Sequence, residues 1–201
     1  MFGITFAFAA AVQPGPLQAF LVSQALSRGW RRTLPAAFAP LLSDGPIILL
    51  VLFVLTHVPA WLVTLLQGLG GLFLLTLAFG AWKSWRDYTA LQAAPPPERQ
   101  QTLFKAALIN LLNPNPYLGW SLVMGPLLLK GWREAPAYGI ALLIGFYVPL
   151  IACSLGIVLL FASARSLGPK VGRALVGISA LALAAFGLYE VWQGVSAFLP
   201  K

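Results

Sequence analysis

The chain has 201 residues, of which 59% are hydrophobic and only 9% are charged, and its formal net charge is +8. A soluble domain carries roughly 25% charged residues. This composition therefore excludes a fully water-exposed surface and indicates an integral membrane protein. The single cysteine, Cys153, leaves no internal disulfide and no Cys-x-x-Cys redox pair. With no Ser-His-Asp set and no histidine cluster either, we expect no enzyme activity, no metal and no cofactor.

Six windows of the chain are long and apolar enough to cross a bilayer, which takes roughly 20 residues in a helix. They are 2–24, 34–56, 60–82, 106–128, 136–161 and 174–197. Each window is continuously apolar, whereas a barrel strand would be about ten residues long with alternating polarity. The sequence therefore predicts one all-α membrane domain over residues 1–201 with six transmembrane helices.

Proline pairs interrupt the first and fourth windows. A proline inside a helix removes one N–H donor and clashes with the carbonyl four residues earlier, so helices 1 and 4 are predicted to be broken. Backbone groups freed in lipid must be satisfied within the protein or by a water-lined cavity, and such breaks indicate a midplane binding site. The candidate substrate-binding residues at the two breaks are Gln13, Pro14, Gly15, Pro16, Asn110, Asn113, Pro114, Asn115 and Pro116.

Asp44 is the acidic residue in the middle of the second window. An ionised acid at the bilayer centre costs about 3 kcal/mol on insertion scales, so intramembrane acids are often functional. We expect Asp44 to bind substrate or proton; the alternative is that it caps broken helix backbone. The segment 43–46, which ends in proline, is interpreted as a third break. Tyr147, before Pro149, is the weaker counterpart in helix 5 and a further candidate site residue.

The two parts of the chain share a sequence pattern. Residues 13–16, 29–32 and 78–85 are echoed in the same order by 113–116, 131–134 and 185–192. Residues 1–92 and 102–201 are thus interpreted as two three-helix repeats joined by a Pro-rich linker at 93–101. Because three spans are an odd number, the second repeat enters the membrane from the opposite side, which is typical of alternating-access transporters. The alignment pairs Glu190 with Lys83 and places Glu190 at the outer end of helix 6, within reach of water.

The basic residues predict the orientation. Ten of the 13 Lys and Arg residues fall in the first, third and fifth loops. Because cytoplasmic loops are enriched in these residues, the linker is predicted in the cytoplasm and both termini outside. The positive charge is therefore explained by topology, and we expect the lipid bilayer rather than nucleic acid as a partner.

At these motifs the chain resembles the lysine exporter and homoserine/threonine exporter (LysE/RhtB) family of bacterial inner-membrane proteins. The matching pieces are 14–16, Gly29 with its basic neighbours, Asp44, 70–71 with 80–83, and 110–114. The resemblance implies an inner-membrane secondary exporter of amino acids or related small solutes, driven by an ion gradient. Asn115 stands where the family usually has lysine.

One central carboxylate without a central Lys or Arg suggests antiport, in which a substrate ammonium and a proton compete for Asp44. The alternative is a passive membrane channel or scaffold without coupled transport, whose prolines serve only packing. The sequence leaves open the substrate, the coupling ion and the oligomeric state, with a homodimer among the alternatives.

Overall fold

A computed structural model gives the fold and describes residues 2–12, 15–54, 59–87, 99–164 and 168–196. All regular structure in these ranges is helical. The predicted site residues Gln13 and Pro14 lie outside the described residues, as do most of the predicted linker, 93–98, and Lys201. Linker residues 99–101 lie within a helix.

Ten α-helices account for most of the described chain. They are α1 Phe2–Val12, α2 Pro16–Arg28, α3 Trp30–Thr33, α4 Ala39–Leu49, α5 Ala60–Arg86, α6 Arg99–Leu112, α7 Pro114–Gly119, α8 Gly125–Glu134, α9 Pro136–Ser163 and α10 Pro169–Ser196. A 3-10 turn at Leu34–Phe38 connects α3 to α4. Short π-helical segments at Leu50–Val54 and Trp120–Met124 follow α4 and α7.

Four helical runs are long and apolar enough to cross a membrane: Trp30–Phe53, Ala60–Arg86, Pro136–Ser163 and Lys170–Ser196. A fifth span results if the helices Gly3–Ala11 and Pro16–Arg28, bent by 60°, are counted as one. The predicted fourth window, 106–128, is divided between α6 and the helices that follow it. The protein is therefore a multi-pass helical membrane protein, and the count of six spans stays a prediction.

The helices are interrupted at both proline pairs. Gly15 is extended (φ −156°, ψ 176°) and α2 begins at Pro16. Asn113 is likewise extended (φ −87°, ψ 126°) and α7 begins at Pro114. Helix α2 thus begins at the second proline of its pair, whereas α7 begins at the first proline of its pair. Since the repeat alignment pairs Pro16 with Pro116, the two helix starts differ by two residues.

The expectation of a third break at 43–46 is wrong. Helix α4 continues through Pro46, and α9 continues through Pro149. A lone proline removes one donor and bends a helix, whereas two prolines separated by one residue remove two donors from the same turn. The single prolines therefore leave these helices continuous.

The antiparallel helices α5 and α10 make the most extensive helix–helix contact among the described residues, and they pack through glycines. A Cβ atom added to Gly71 would lie 2.6 Å from the backbone nitrogen of Val191 and 2.7 Å from the carbonyl oxygen of Gly187. One added to Gly194 would lie 2.9 Å from the nitrogen of Gly68. Small residues let helix backbones approach closely in a membrane, so α5 and α10 have no room here for a side chain.

One end of the bundle gathers basic residues from three segments. The Arg173 guanidinium, near the start of α10, lies 5.3 Å from the ring centroid of Trp85 at the end of α5. Leu26, near the end of α2, packs in one buried cluster with Val176 of α10. The cluster also contacts Phe161, near the end of α9. The start of α9, next to Lys130 and Arg133, therefore lies at the opposite end of the bundle.

The expectation that Glu190 reaches water is wrong. Its side chain is only 9% exposed, whereas Lys83, its partner in the repeat alignment, is exposed. The repeat alignment concerned only the position of Glu190 along α10, not the face of the helix on which it lies. That face is decided by the helices against which α10 packs. Asp44 is therefore not the only buried acid among the described residues.

Candidate substrate and proton site

The carboxyl group of Asp44 is held by side chains from two other helices. Asp44 lies in α4 and is 4% exposed. Asn110 in α6 donates through Nδ2 to Oδ1 of Asp44 at 2.8 Å, and Tyr147 in α9 donates through its hydroxyl to Oδ2 at 3.0 Å. Since buried polar groups are nearly always hydrogen-bonded, these two donors give the carboxyl group a defined place in the bundle.

Ser43 fixes which way the Asn110 amide points. The Ser43 hydroxyl donates to the carbonyl of Ala39 at 3.0 Å, so its oxygen is free to accept. Asn110 Nδ2 donates to that oxygen at 2.7 Å. Because an ionised carboxylate only accepts hydrogen bonds, Asn110 presents its amino group to both neighbours. Oδ1 of Asp44 accepts from Asn110 and Oδ2 accepts from Tyr147. Each oxygen keeps further lone pairs for a ligand.

A cavity of about 190 Å³ adjoins Asp44. A single water needs roughly 10–15 Å³ by the same measure, so the cavity can hold a small organic solute. Its polar lining comes from Gly15, Gln18, Asp44, Asn110, Asn113 and Asn115. Its apolar lining includes Phe6, Trp120, Met124, Phe146 and Leu150. The cavity therefore lies where both broken helices meet α4 and α9.

One backbone carbonyl freed at the first break, that of Ala10, accepts a hydrogen bond from a side chain. The carbonyl of Ala10 would normally accept from residue 14, which is a proline and has no N–H. Gln18 replaces that donor through Nε2, at 3.3 Å from the Ala10 oxygen. Gln18 thus bridges the two arms of the broken helix.

At the second break, other groups replace the missing helical hydrogen bonds. The Asn110 carbonyl accepts from the nitrogen of Asn113 at 3.3 Å, and the Leu111 carbonyl accepts from the Tyr117 hydroxyl at 2.9 Å. The Asn113 side chain caps α7 by accepting from the nitrogen of Asn115 at 3.0 Å. The amides and hydroxyls at the breaks therefore do the capping. The described hydrogen bonds of Asp44 come from side chains.

Aromatic side chains form the wall beside the carboxyl group. The ring centroid of Phe146 lies 6.0 Å from those of Phe6 and Trp120 and 5.1 Å from that of Tyr147. Aromatic faces attract a cation that lies within about 6 Å of the ring centroid. The described lining contains an acid and no basic residue, so this arrangement suits a ligand with a positively charged group.

Most of the predicted site residues are brought together. Gly15, Asp44, Asn110, Asn113, Asn115 and Pro116 line the cavity, and Tyr147 hydrogen-bonds to Asp44. Two are not: Pro16 and Pro114 are buried in the first turns of α2 and α7 and do not line the cavity. Gln18, a further polar residue near the first break, also lines the cavity. Sequence reasoning did not select Ser43 or Trp120. Only the polarity of Ser43 next to Asp44 could have indicated it, and no sequence signal indicated Trp120.

A multi-pass helical protein whose broken helices line a cavity beside a buried carboxyl group has the architecture of a membrane transporter. The family model of the LysE type translocator matches residues 8–194, and the chain belongs to this family. Comparisons with curated proteins and with solved structures found no match. The protein is therefore a membrane transporter of amino acids or related solutes, with a small molecule as substrate and lipid as its surroundings.

Proposed function

We propose that the protein exports amino acids or related small solutes across the bacterial inner membrane in exchange for protons, with Asp44 as the group that both bind. The observation that carries this proposal is the buried Asp44 carboxyl group at the cavity wall, held by Asn110 and Tyr147. Because the two hydrogen-bond donors lie on other helices, a movement of α6 or α9 relative to α4 would change the surroundings of the Asp44 carboxyl group.

The two charged groups of an amino acid would be bound in different ways. The ammonium group meets Asp44 and the aromatic wall around Trp120 and Phe146. Since no Lys or Arg is among the described residues that line the cavity, the carboxylate needs another source of positive potential. The start of α2 supplies it, because the first N–H groups of a helix are free and its dipole favours an anion. Leu17 and Gln18, in that first turn, both line the cavity.

Coupling between proton and substrate movement follows from the single carboxylate charge of Asp44. A proton and a substrate ammonium group each neutralise Asp44, and binding one displaces the other. An ionised, unpaired acid is costly inside a membrane protein, so the empty charged form reorients slowly. The protein therefore changes conformation with either a proton or the substrate bound, and the two exchange across the membrane.

The helix pairing supports alternating access by two inverted halves. Helix α1 packs against α9, and α6 packs against α4. The first segment of each half thus contacts the middle helix of the other half, and the last helices of both halves, α5 and α10, pack together. Two repeats related by a two-fold axis would contact each other in this way. The basic end of the bundle would face the cytoplasm.

The test begins with a thermal-shift screen of purified protein across the amino acids, which identifies a substrate. Efflux of that substrate is then measured from proteoliposomes with and without an imposed pH gradient. We expect wild type and Asp87→Asn to show pH-driven efflux, because Asp87 is an exposed residue paired with Arg86 at 3.3 Å. Asp44→Asn should fold yet release substrate no faster than protein-free vesicles.

Two outcomes would contradict the proposal. Undiminished pH-driven efflux in Asp44→Asn would remove the carboxyl group from the mechanism and leave the amides of Gln13, Asn110 and Asn113 to bind substrate alone. Flux through wild type that follows only the substrate's own gradient would favour a passive channel.

A further inference from the structure

A second buried carboxyl group lies outside the cavity. Glu190 in α10 is 9% exposed, and its Oε2 atom is buried with no hydrogen-bond partner in the part of the chain that the structure describes. It borders a gap of about 10 Å³, which is roughly the space of one water. The gap is closed by Pro16, Gly70, Leu74, Ile109, Leu112 and Asn113. Glu190 thus points to the place where α5 meets the breaks of both broken helices.

The break after α6 leaves a backbone acceptor at the same gap. The carbonyl of Leu112 would normally accept from residue 116, but Pro116 has no N–H. This oxygen rests directly on α5, since a Cβ atom added to Gly70 would lie 2.6 Å from it. A carbonyl without its helical donor and a carboxyl oxygen without a partner therefore border one water-sized space.

Among the residues that the structure describes, none that faces the gap can balance a negative charge. The described lining contains no titratable group other than Glu190. On the neighbouring helices Tyr117 donates to the Leu111 carbonyl, and Tyr189 of α10 itself is exposed. Helices α2, α5 and α10 carry their basic side chains toward the end that is remote from the gap; these are Arg28, Lys83, Arg86, Lys170 and Arg173. Lys105 of α6 does not line the gap. An ionised carboxylate buried without a donor or a cation is strongly disfavoured, whereas the neutral acid brings its own donor.

We propose that Glu190 is a proton-binding site. In this conformation the carboxyl group keeps its proton and donates a hydrogen bond to one water in the gap, which in turn donates to the Leu112 carbonyl. When the break after α6 moves away from Gly70, water enters and the acid exchanges its proton with solvent. A metal cation does not fit, because hard cations take six or more oxygen ligands and this gap holds about one water.

The protonation state can be measured without any substrate. Infrared spectroscopy of the full-length protein in lipid vesicles detects the carbonyl band of a protonated carboxylic acid, and carbon-13 labelling of glutamate side chains shifts that band. The chain has three glutamates, Glu98, Glu134 and Glu190. At neutral pH we expect a labelled acid band that persists in the double variant Glu98→Gln/Glu134→Gln and is missing in Glu190→Gln. No such band in the double variant would overturn the proposal, whether or not Glu190→Gln folds.

The link to the helix break is tested by transfer into heavy water, where deuteration shifts the same band. Gly70→Ala places a methyl group against the Leu112 carbonyl, and Leu74→Ala enlarges the gap without adding atoms. In either variant the acid should deuterate at least tenfold faster than in wild type. Gly80→Ala is the matched control, since nothing lies within 4 Å of its added Cβ atom. Wild-type exchange rates in both test variants would overturn the coupling to the break. Neither measurement depends on transport, so failure of the proposed antiport is a separate result.

Discussion

The Nδ2 atom of Asn110 lies 2.8 Å from Oδ1 of Asp44, although the two residues are 66 positions apart in the chain. The bond joins α6, directly before the second break, to the middle of α4. Any movement of the broken helix relative to α4 must therefore stretch or release a hydrogen bond to the buried carboxyl group. This links the geometry of the break to the charge state of the site.

The bond should appear as coupling between two substitutions. Asp44→Ala and Asn110→Ala each remove one partner, and residues in direct contact usually show interaction free energies of about 0.5–3 kcal/mol. Unfolding free energies of both single variants and the double variant measure this coupling. As a control, Asp44→Ala is combined with Ser84→Ala, at an exposed position on α5, and this pair should be additive. Additivity in the Asp44/Asn110 pair as well would mean that the bond contributes nothing to stability.

Tyr147→Phe removes the hydroxyl that donates to Asp44 Oδ2 and keeps the ring. Hydrogen bonds to charged groups are worth about 1.5–3 kcal/mol, and about 1.4 kcal/mol corresponds to a tenfold change in an equilibrium. We expect pH-driven efflux to fall by about tenfold or more while the protein remains folded. Tyr138→Phe, on the same helix and 61% exposed, should transport like wild type; an equal loss there would mean that the assay reports expression or folding.

Gly71→Ala should destabilise the protein, because the added methyl group meets backbone atoms of Val191 and Gly187 that cannot move independently of α10. Overpacking of this kind costs about 1–3 kcal/mol. Gly80→Ala lies on the same helix in open space and should be neutral or slightly stabilising, since alanine favours helix by about 1 kcal/mol over glycine. Thermal unfolding in detergent compares the two variants, and equal midpoints would contradict the close α5–α10 contact.

The predicted orientation can be tested by labelling single cysteines in a Cys153→Ala background. Asp87→Cys lies at the basic end of the bundle and Arg133→Cys near the opposite end. In intact cells a membrane-impermeant thiol reagent should label the Arg133→Cys variant. The Asp87→Cys variant should react only after the membrane is opened. The reverse pattern would place both termini in the cytoplasm.

The class of the protein and its helix breaks could be predicted from the sequence because both depend on local chemistry. Composition decides whether water or lipid can surround the chain, and a proline lacks its N–H wherever it stands. The interruption between α1 and α2 and the one at Asn113 follow from this. The choice of Asn110, Asn113 and Asp44 as neighbours of a cavity follows from their polarity inside apolar windows. Even here the two-residue difference between the breaks was not predictable, because either proline of a pair can begin the new helix.

What the sequence by itself determined is thus the kind of solvent and the two proline pairs at which helices are interrupted. Only the tertiary structure decided that α4 and α9 continue through Pro46 and Pro149, that Asp44 is held by Asn110 and Tyr147, and that Glu190 is buried while Lys83 is exposed. The physical reason is that a residue's height along a helix follows from counting along the chain. Its face and its partners depend on which distant helix packs against it, and no local pattern in this sequence specifies that contact.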